Sequence, residues 1–535
     1  MNHIQQNLEK TTTEVIQKSG NPVSAMVVLA TLESFGIREK DVFKDYGFVS
    51  IMDLAIHIYE DLLSRPIETL VNINELKKRK KHDSQIPVSG YLWMKAKLLA
   101  QFYPLGLFHL LPIFLQVAAI IFFGYSLWTF VGFNIIQSTS VVFGVILGLI
   151  ISGGYVQVMG RQASFYWHHE EFTKARMVMD KLIKSGINGM LLSFLALGMI
   201  NFFFNLYPFS FVLVMFTYAL LIGTLLLVSA PFHTIRQRWA ITLSISIATL
   251  FALALKEFSS LHIYLTHWIG VLVAIFLSKT ILWGFFKVKG VGTESVHVTP
   301  SKSMVIYRNY PYFFYGGLIY IFIFIDRILA WSADFTLTHQ YVFLYEKDYE
   351  IGMDLAILIF FMLAGVLEYA IASFSKFLDI KQKNTPFLNR KEFNRRMYRM
   401  YRGHIFLLVI TALVTTTLIY LIITQPWGYE ASFNESLDVL SIKVCIIGGI
   451  GYLFLTWGML NALYLFTLSK PNGVLSSLMI SCVVNFVVGF TVSRIFAYEY
   501  SVVGMLVGSI VFMTLTLREI KSFYKNLDYY YYAAY

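Results

Sequence analysis

Four ionisable side chains sit inside apolar runs where a bare charge is expensive. The run YPYFFYGGLIYIFIFIDRILAW carries Asp326 and Arg327 near its end, and the run IGMDLAILIFFMLAGVLEYAIASF carries Asp354 near one end and Glu368 towards the other. A charge at the centre of a lipid-spanning helix costs about 3 kcal/mol unless it faces a bundle interior or a water-filled cavity, so these residues are the first candidates for function. Helical spacing sorts them. Tyr312, Tyr315, Gly316, Ile319, Ile323, Asp326 and Arg327 recur along one side of the first run. Asp354 and Glu368 return to a common face of the second run after close to four helical turns. Asp326 and Arg327 either line a polar path or form a simple pair in which Arg327 snorkels outward and Asp326 follows it. Glu368 lies too deep to reach the outer water, and an unpaired carboxylate at that depth could accept a proton. Lys279, Lys443 and Arg494 also lie in or at apolar runs; Lys443 and Arg494, near the ends, are expected to snorkel.

Signatures of catalysis are weak. His168-His169-Glu170-Glu171 offers ligand-type side chains, but on a wet loop without a partner cluster, so no metal is expected. Gln237-Arg238-Trp239 resembles part of the Q-x-x-R-W motif of processive glycan synthases, with the wrong spacing and no nucleotide-sugar domain before it. The segment Val131–Thr139 lacks the acidic residues that a lipid-linked glycosyltransferase needs, and a phosphate-binding loop of the P-loop type is absent. Cys445 and Cys482 both fall in apolar runs and give neither a disulfide framework nor metal spacing. The expectation is a chain with no catalytic residue, metal or cofactor.

The elements that must position these residues are legible from composition. Of 535 residues, 57% are hydrophobic and 14% charged, with a mean hydropathy of +0.62, and uninterrupted apolar runs of about twenty residues select membrane helices over barrel strands. Twelve runs are expected, near 104–128, 137–159, 187–207, 209–230, 239–256, 264–286, 311–331, 351–373, 404–424, 441–467, 473–496 and 501–517. The first twenty residues lack a signal-peptide core, and residues 1–90 read as a soluble helical extension, with apolar stretches at Ser24–Phe35 and Phe48–Leu63, followed by the basic cluster Lys77-Lys78-Arg79-Lys80-Lys81.

Loop charge sets the orientation. Loops bearing Arg161, Lys174, Arg176, Lys181 and Lys184, then Arg236 and Arg238, Lys287 and Arg308, Arg395 to Arg402, and Lys470 alternate with uncharged loops or acidic ones such as Asp334, Glu346, Asp348 and Glu350 or Glu430, Glu435 and Asp438. The basic set is expected in the cytoplasm, with both termini, in a multi-pass protein of the cytoplasmic membrane. The net charge of +11 is then accounted for by those loops, and nucleic acid is not an expected partner. The longest basic loops follow the second and eighth spans. Six spans separate them, which suggests two parallel halves, residues 91–290 and 291–535, related by an axis along the membrane normal.

The tyrosine-rich run that leads into Asp326-Arg327 and Trp331, the following stretch Tyr349–Phe374, Asn485 and Gly504 inside the last two spans, and the tail NLDYYYYAAY together resemble the PelG family, membrane proteins of Pel-type exopolysaccharide export. The likeness is strongest over residues 308–535. Arg327 stands where lysine is expected, and the first ninety residues are an addition to the family's plan. The resemblance implies membership of the multidrug/oligosaccharidyl-lipid/polysaccharide (MOP) flippase superfamily: an all-α fold of about twelve transmembrane helices in two six-helix lobes, whose first, second, seventh and eighth helices line a central cavity. It implies that Tyr312, Tyr315, Asp326, Arg327, Asp354 and Glu368 serve the substrate path or ion coupling. It also implies export of an exopolysaccharide, with a cytoplasmic glycosyltransferase and other polysaccharide-synthesis membrane proteins as partners beside the glycan and membrane lipid. A lipid-linked oligosaccharide flippase, or a membrane-embedded glycosyltransferase or polymerase, are the alternative readings.

Overall fold

The computed structural model describes residues 2–19, 22, 24–64, 88–108, 111–289, 302–333, 341–383, 390–425, 428–433, 436–527 and 530. Lys77–Lys81, Asp334, Asn434, Glu435 and most of the terminal NLDYYYYAAY lie outside the described residues. The described residues form helices and turns, with one isolated antiparallel bridge between Tyr125 and Phe130.

Four short helices come first: α1 (Asn2–Ser19), α2 (Ala25–Ser34), α3 (Glu39–Tyr46) and α4 (Ile51–Ser64). The two apolar stretches of the sequence become α2 and α4. Their buried Val28, Leu32, Leu54 and Ile58 pack with Val15 of α1 and Val42 of α3 into a core of their own. The polar α1 and α3 are amphipathic covers, tied by the Thr11 and Tyr46 hydroxyls at 3.1 Å.

The membrane helices follow. A bent pair, α5 (Val88–Phe108) and α6 (Leu111–Phe123), turns by 51° between its apolar portions, which together are long and apolar enough for one span. Eleven further helices among the described residues are long and apolar enough to cross a bilayer. They are α7 (Ile135–His168), α8 (Phe172–Phe204), α9 (Phe209–Thr234), α10 (Trp239–Phe258), α11 (Ile263–Val288), α12 (Lys302–Trp331), α13 (Lys347–Lys383), α14 (Arg390–Thr424), α16 (Val439–Thr467), α17 (Asn472–Ile495) and α18 (Ser501–Lys525), with the short α15 (Tyr429–Phe433) between α14 and α16. The described residues thus carry eleven such helices, or twelve spans with the bent pair taken as one, in keeping with the expected count of about twelve.

Two expectations change. The first apolar portion begins at Ala96 rather than near 104, on a helix that starts at Val88; Pro104 and Pro112 flank the bend, each lacking the N–H that would close the ladder. The long basic loop after the second span is helical almost throughout. α7 runs to His168 and α8 starts at Phe172, with Glu170 in the left-handed region (φ 60°) reversing the chain. The basic amphipathic stretch is therefore two helix ends reaching past the apolar layer. α7, α8, α13 and α14 are the longest elements, with 34, 33, 37 and 35 residues, so the same positions in each half carry the long pair.

The main contacts between halves are reciprocal: α5 packs on α13, and α7 on α12. Each contact is a backbone crossing at glycine. A Cβ on Gly106 would stand 2.6 Å from the Gly365 Cα, and one on Gly153 would stand 2.4 Å from the Gly316 carbonyl oxygen. No other residue type fits at these separations. The ends of the bundle differ in charge. One carries Arg161, Lys174, Arg238, Lys287 and Lys470 and is called the basic end below; the other carries Asp348, Glu350, Asp438 and Glu499.

Candidate functional site

α12 delivers Asp326, Arg327 and Trp331 towards the start of α13. Because α13 begins at Lys347, Glu350 and Asp354 lie four residues apart on its first turns and share a face. The Arg327 Nη1 bonds the Glu350 Oε2 and reaches the Asp354 Oδ1 at 2.8 Å. The Trp331 Nε1 donates to the other Glu350 oxygen at 2.8 Å, and the Tyr349 hydroxyl donates to the Asp326 Oδ2 at 2.7 Å. Arg327 and Glu350 are buried, with side-chain exposures of 4% and 2%, whereas Asp354 is 65% exposed. Asp326 is fully buried. Two carboxylates thus contact one guanidinium, with the buried Asp326 next to it in sequence as a third. In a low-dielectric setting that surplus of negative charge attracts a cation or a proton, and Asp354 connects the cluster to the outside.

The expected Asp326–Arg327 pairing is corrected here. Neighbours in sequence on a helix point about 100° apart, so Arg327 turns to α13 while Asp326 turns to Tyr349. Arg327 does not snorkel; it clamps two helices together. Glu350, read from the sequence as a loop acid, is the missed member. Its signal was the four-residue spacing to Asp354.

Glu368 is not unpaired. The Arg238 Nη2 stands 2.8 Å from its Oε1, and the Arg238 Nη1 donates to the Leu105 carbonyl at 3.3 Å. Arg238 precedes α10 in the first half, and Glu368 belongs to α13 in the second, so the pair crosses between lobes at the basic end. Asp354 and Glu368 share a helix face but serve different partners at different depths. A second crossing contact lies beside it. Arg161 of α7 donates to the Tyr312 hydroxyl at 2.5 Å and to the Ser469 hydroxyl at 3.2 Å. Tyr312 and Tyr315 are both buried against Phe466, with ring centroids at 5.1 and 4.9 Å. Tyr312 thus lies in the seam between lobes through Arg161, while Tyr315 packs on Phe466 within the second lobe.

The opposite end is closed as well. The Tyr207 hydroxyl donates to the Phe343 carbonyl at 3.2 Å and accepts from the Phe343 N–H at 2.9 Å, and the Tyr345 N–H donates to the Thr139 hydroxyl at 3.0 Å. Burial pushes the Tyr207 phenol up to about 12, against a lowering by the Phe343 hydrogen bond, which keeps the proton that this bridge donates. Polar contacts therefore join the lobes at both ends.

Lys279 is exposed on α11, and the other sequence candidates have structural partners. Lys443 donates to the Tyr500 hydroxyl at 2.6 Å, and Arg494 donates to the Leu329 and Ser332 carbonyls at the end of α12, so neither simply snorkels. His168 and His169 turn back to the carbonyls of Ser164 and Phe165. A cavity of about 490 Å³ between α7, α12 and α17 is almost wholly apolar and includes none of the charged cluster.

No family model matches the sequence, and no curated protein is similar to it in sequence. Solved structures are similar in fold. The Vibrio cholerae MATE transporter VcmN, in a mutant form, superposes with a TM-score of 0.60 at 14% identity, covering 82% of this chain and 98% of that one. The same transporter in its bent form gives 0.55 at 13%, with coverage of 82% and 98%. An outward-facing multidrug resistance MATE family transporter of the MOP superfamily gives 0.51 at 13%, with coverage of 81% and 97%. The chain thus has the fold of MATE transporters over 82% of its length.

Proposed function

We propose that this chain is a non-enzymatic membrane transporter that moves an exopolysaccharide across the cytoplasmic membrane in the manner of a PelG-like exporter. The observation that carries transport is the seam. Two lobes meet through two backbone crossings and are fastened by polar contacts at both ends, so exchanging one set of contacts for the other gives alternating access without unfolding either lobe. The tyrosine-rich side of α12 supports a glycan cargo, since Tyr312 comes to line the path once its contact with Arg161 opens, with Tyr315 one turn deeper, and aromatic faces stack on sugar rings. The Arg327 cluster couples movement to a proton or sodium ion through its surplus carboxylates, with Asp354 as the exposed entry.

In this reading the basic end, α1–α4 and the C-terminus are cytoplasmic. The α1–α4 domain docks the glycosyltransferase that makes the chain, so that polymer growth supplies direction. The test is complementation of a deletion strain: wild-type protein restores secreted polysaccharide, and removal of residues 1–75 lowers both secretion and recovery of the synthase with the transporter. Dye efflux without any polysaccharide phenotype would assign the fold to small-molecule export instead.

A further inference from the structure

A groove at the basic end runs between α7, α8 and α12, with a volume of about 570 Å³. Three helix faces converge on it. Lys174, Val178 and Lys181 recur on α8 at helical spacing, Tyr166 comes from α7, and Tyr310 and Phe314 come from α12. Its chemistry is graded along the bundle axis. Tyr166 and Lys174 lie within three residues of the turn between α7 and α8, whereas Leu182 and Phe313, deeper in the bundle, give an apolar floor.

Lys181 completes the gradient. α8 starts at the basic end, and helix side chains lean towards the helix start, so the Lys181 ammonium is carried back towards Lys174. Lys174 is held by Glu171 at 2.7 Å, while Lys181 is exposed and makes no ion pair among the described residues. The mouth is apolar and open: Ile306 is 67% and Phe314 53% exposed. An apolar trough that ends in an uncompensated ammonium and tyrosine hydroxyls at the edge of a membrane span is complementary to one class of molecule, an amphiphile with a negative head.

We propose that the groove binds an anionic phospholipid of the surrounding leaflet, with its phosphate on Lys181, Lys174, Tyr166 and Tyr310 and an acyl chain along Leu182 and Phe313. The lipid spans from α8 of the first lobe to α12 of the second, beside the Arg161–Tyr312 contact, and braces the seam at the basic end. The site is separate from the Arg327 cluster and does not depend on the cargo.

The test is native mass spectrometry of the full chain after exchange into mixed micelles of phosphatidylglycerol and phosphatidylcholine. The expected result is selective retention of phosphatidylglycerol, lowered roughly fivefold by Lys181→Gln, in line with one lysine at an anionic surface, and unchanged by Lys184→Gln, whose side chain lies off the groove. Val178→Trp, which fills the trough and keeps both lysines, is expected to abolish retention, and excess inorganic phosphate is expected not to displace the lipid. Equal retention of the two lipids, equal loss in Lys181→Gln and Lys184→Gln, full retention in Val178→Trp, or displacement by inorganic phosphate would each overturn the proposal.

Discussion

Removing the Arg327 guanidinium leaves Glu350 buried with like charge beside it and no cation, and breaking a buried pair from one side costs about 3 to 5 kcal/mol. Arg327→Ala is therefore expected to lower thermal stability in detergent sharply, and Arg327→Lys, which keeps charge but not the planar fork, to fall between it and wild type. Asp354→Asn should behave otherwise. Its carboxylate is largely exposed, so unfolding should shift by less than about 1 kcal/mol, while transport, in the proposed function, loses its ion entry. A stability loss in Asp354→Asn equal to that in Arg327→Ala would mean that the cluster is structural throughout. At this scale the sequence was informative about depth and silent about direction. The costly charges Asp326, Arg327, Asp354 and Glu368 stood out, but the partners Glu350 and Arg238 lie in other helices, and only tertiary packing brings them in.

The Arg238–Glu368 ion pair joins the start of α10 to α13. Glu368→Gln and Arg238→Gln are each expected to loosen the basic end, read as a longer spin-label distance between α10 and α13, and the reversed pair Arg238→Glu with Glu368→Arg is expected to restore it. Failure of the reversal, with normal amounts of folded protein, would assign Glu368 a role beyond its partner. Helix existence was legible because apolar runs of spanning length have few alternatives in lipid. Helix ends were not. Lys174, Arg176 and Lys181 read as loop charge, yet backbone hydrogen bonding carries α8 through them, since a helix that leaves lipid gains nothing by stopping there. The bend between α5 and α6 was masked by one continuous apolar run.

The whole molecule makes a prediction about sides. With the basic end in the cytoplasm, Ser260→Cys, exposed after α10, should react with an impermeant maleimide added to intact cells, and Thr13→Cys in α1 only after lysis; the native Cys445 and Cys482 are buried and should stay silent. The reverse pattern would invert the topology. The repeat of halves was visible only as loop spacing, while the reciprocal packing of α5 on α13 and α7 on α12 needed coordinates. Where α7 crosses α12, the bare Gly153–Gly316 contact draws a fulcrum line with unequal arms. At 1.5 Å per residue, Thr139 lies about 21 Å to one side of it along α7 and Arg161 about 12 Å to the other. Any rigid tilt about this line opens one mouth only by shutting the other, and it opens the Thr139 mouth nearly twice as wide as the Arg161 mouth for the same angle.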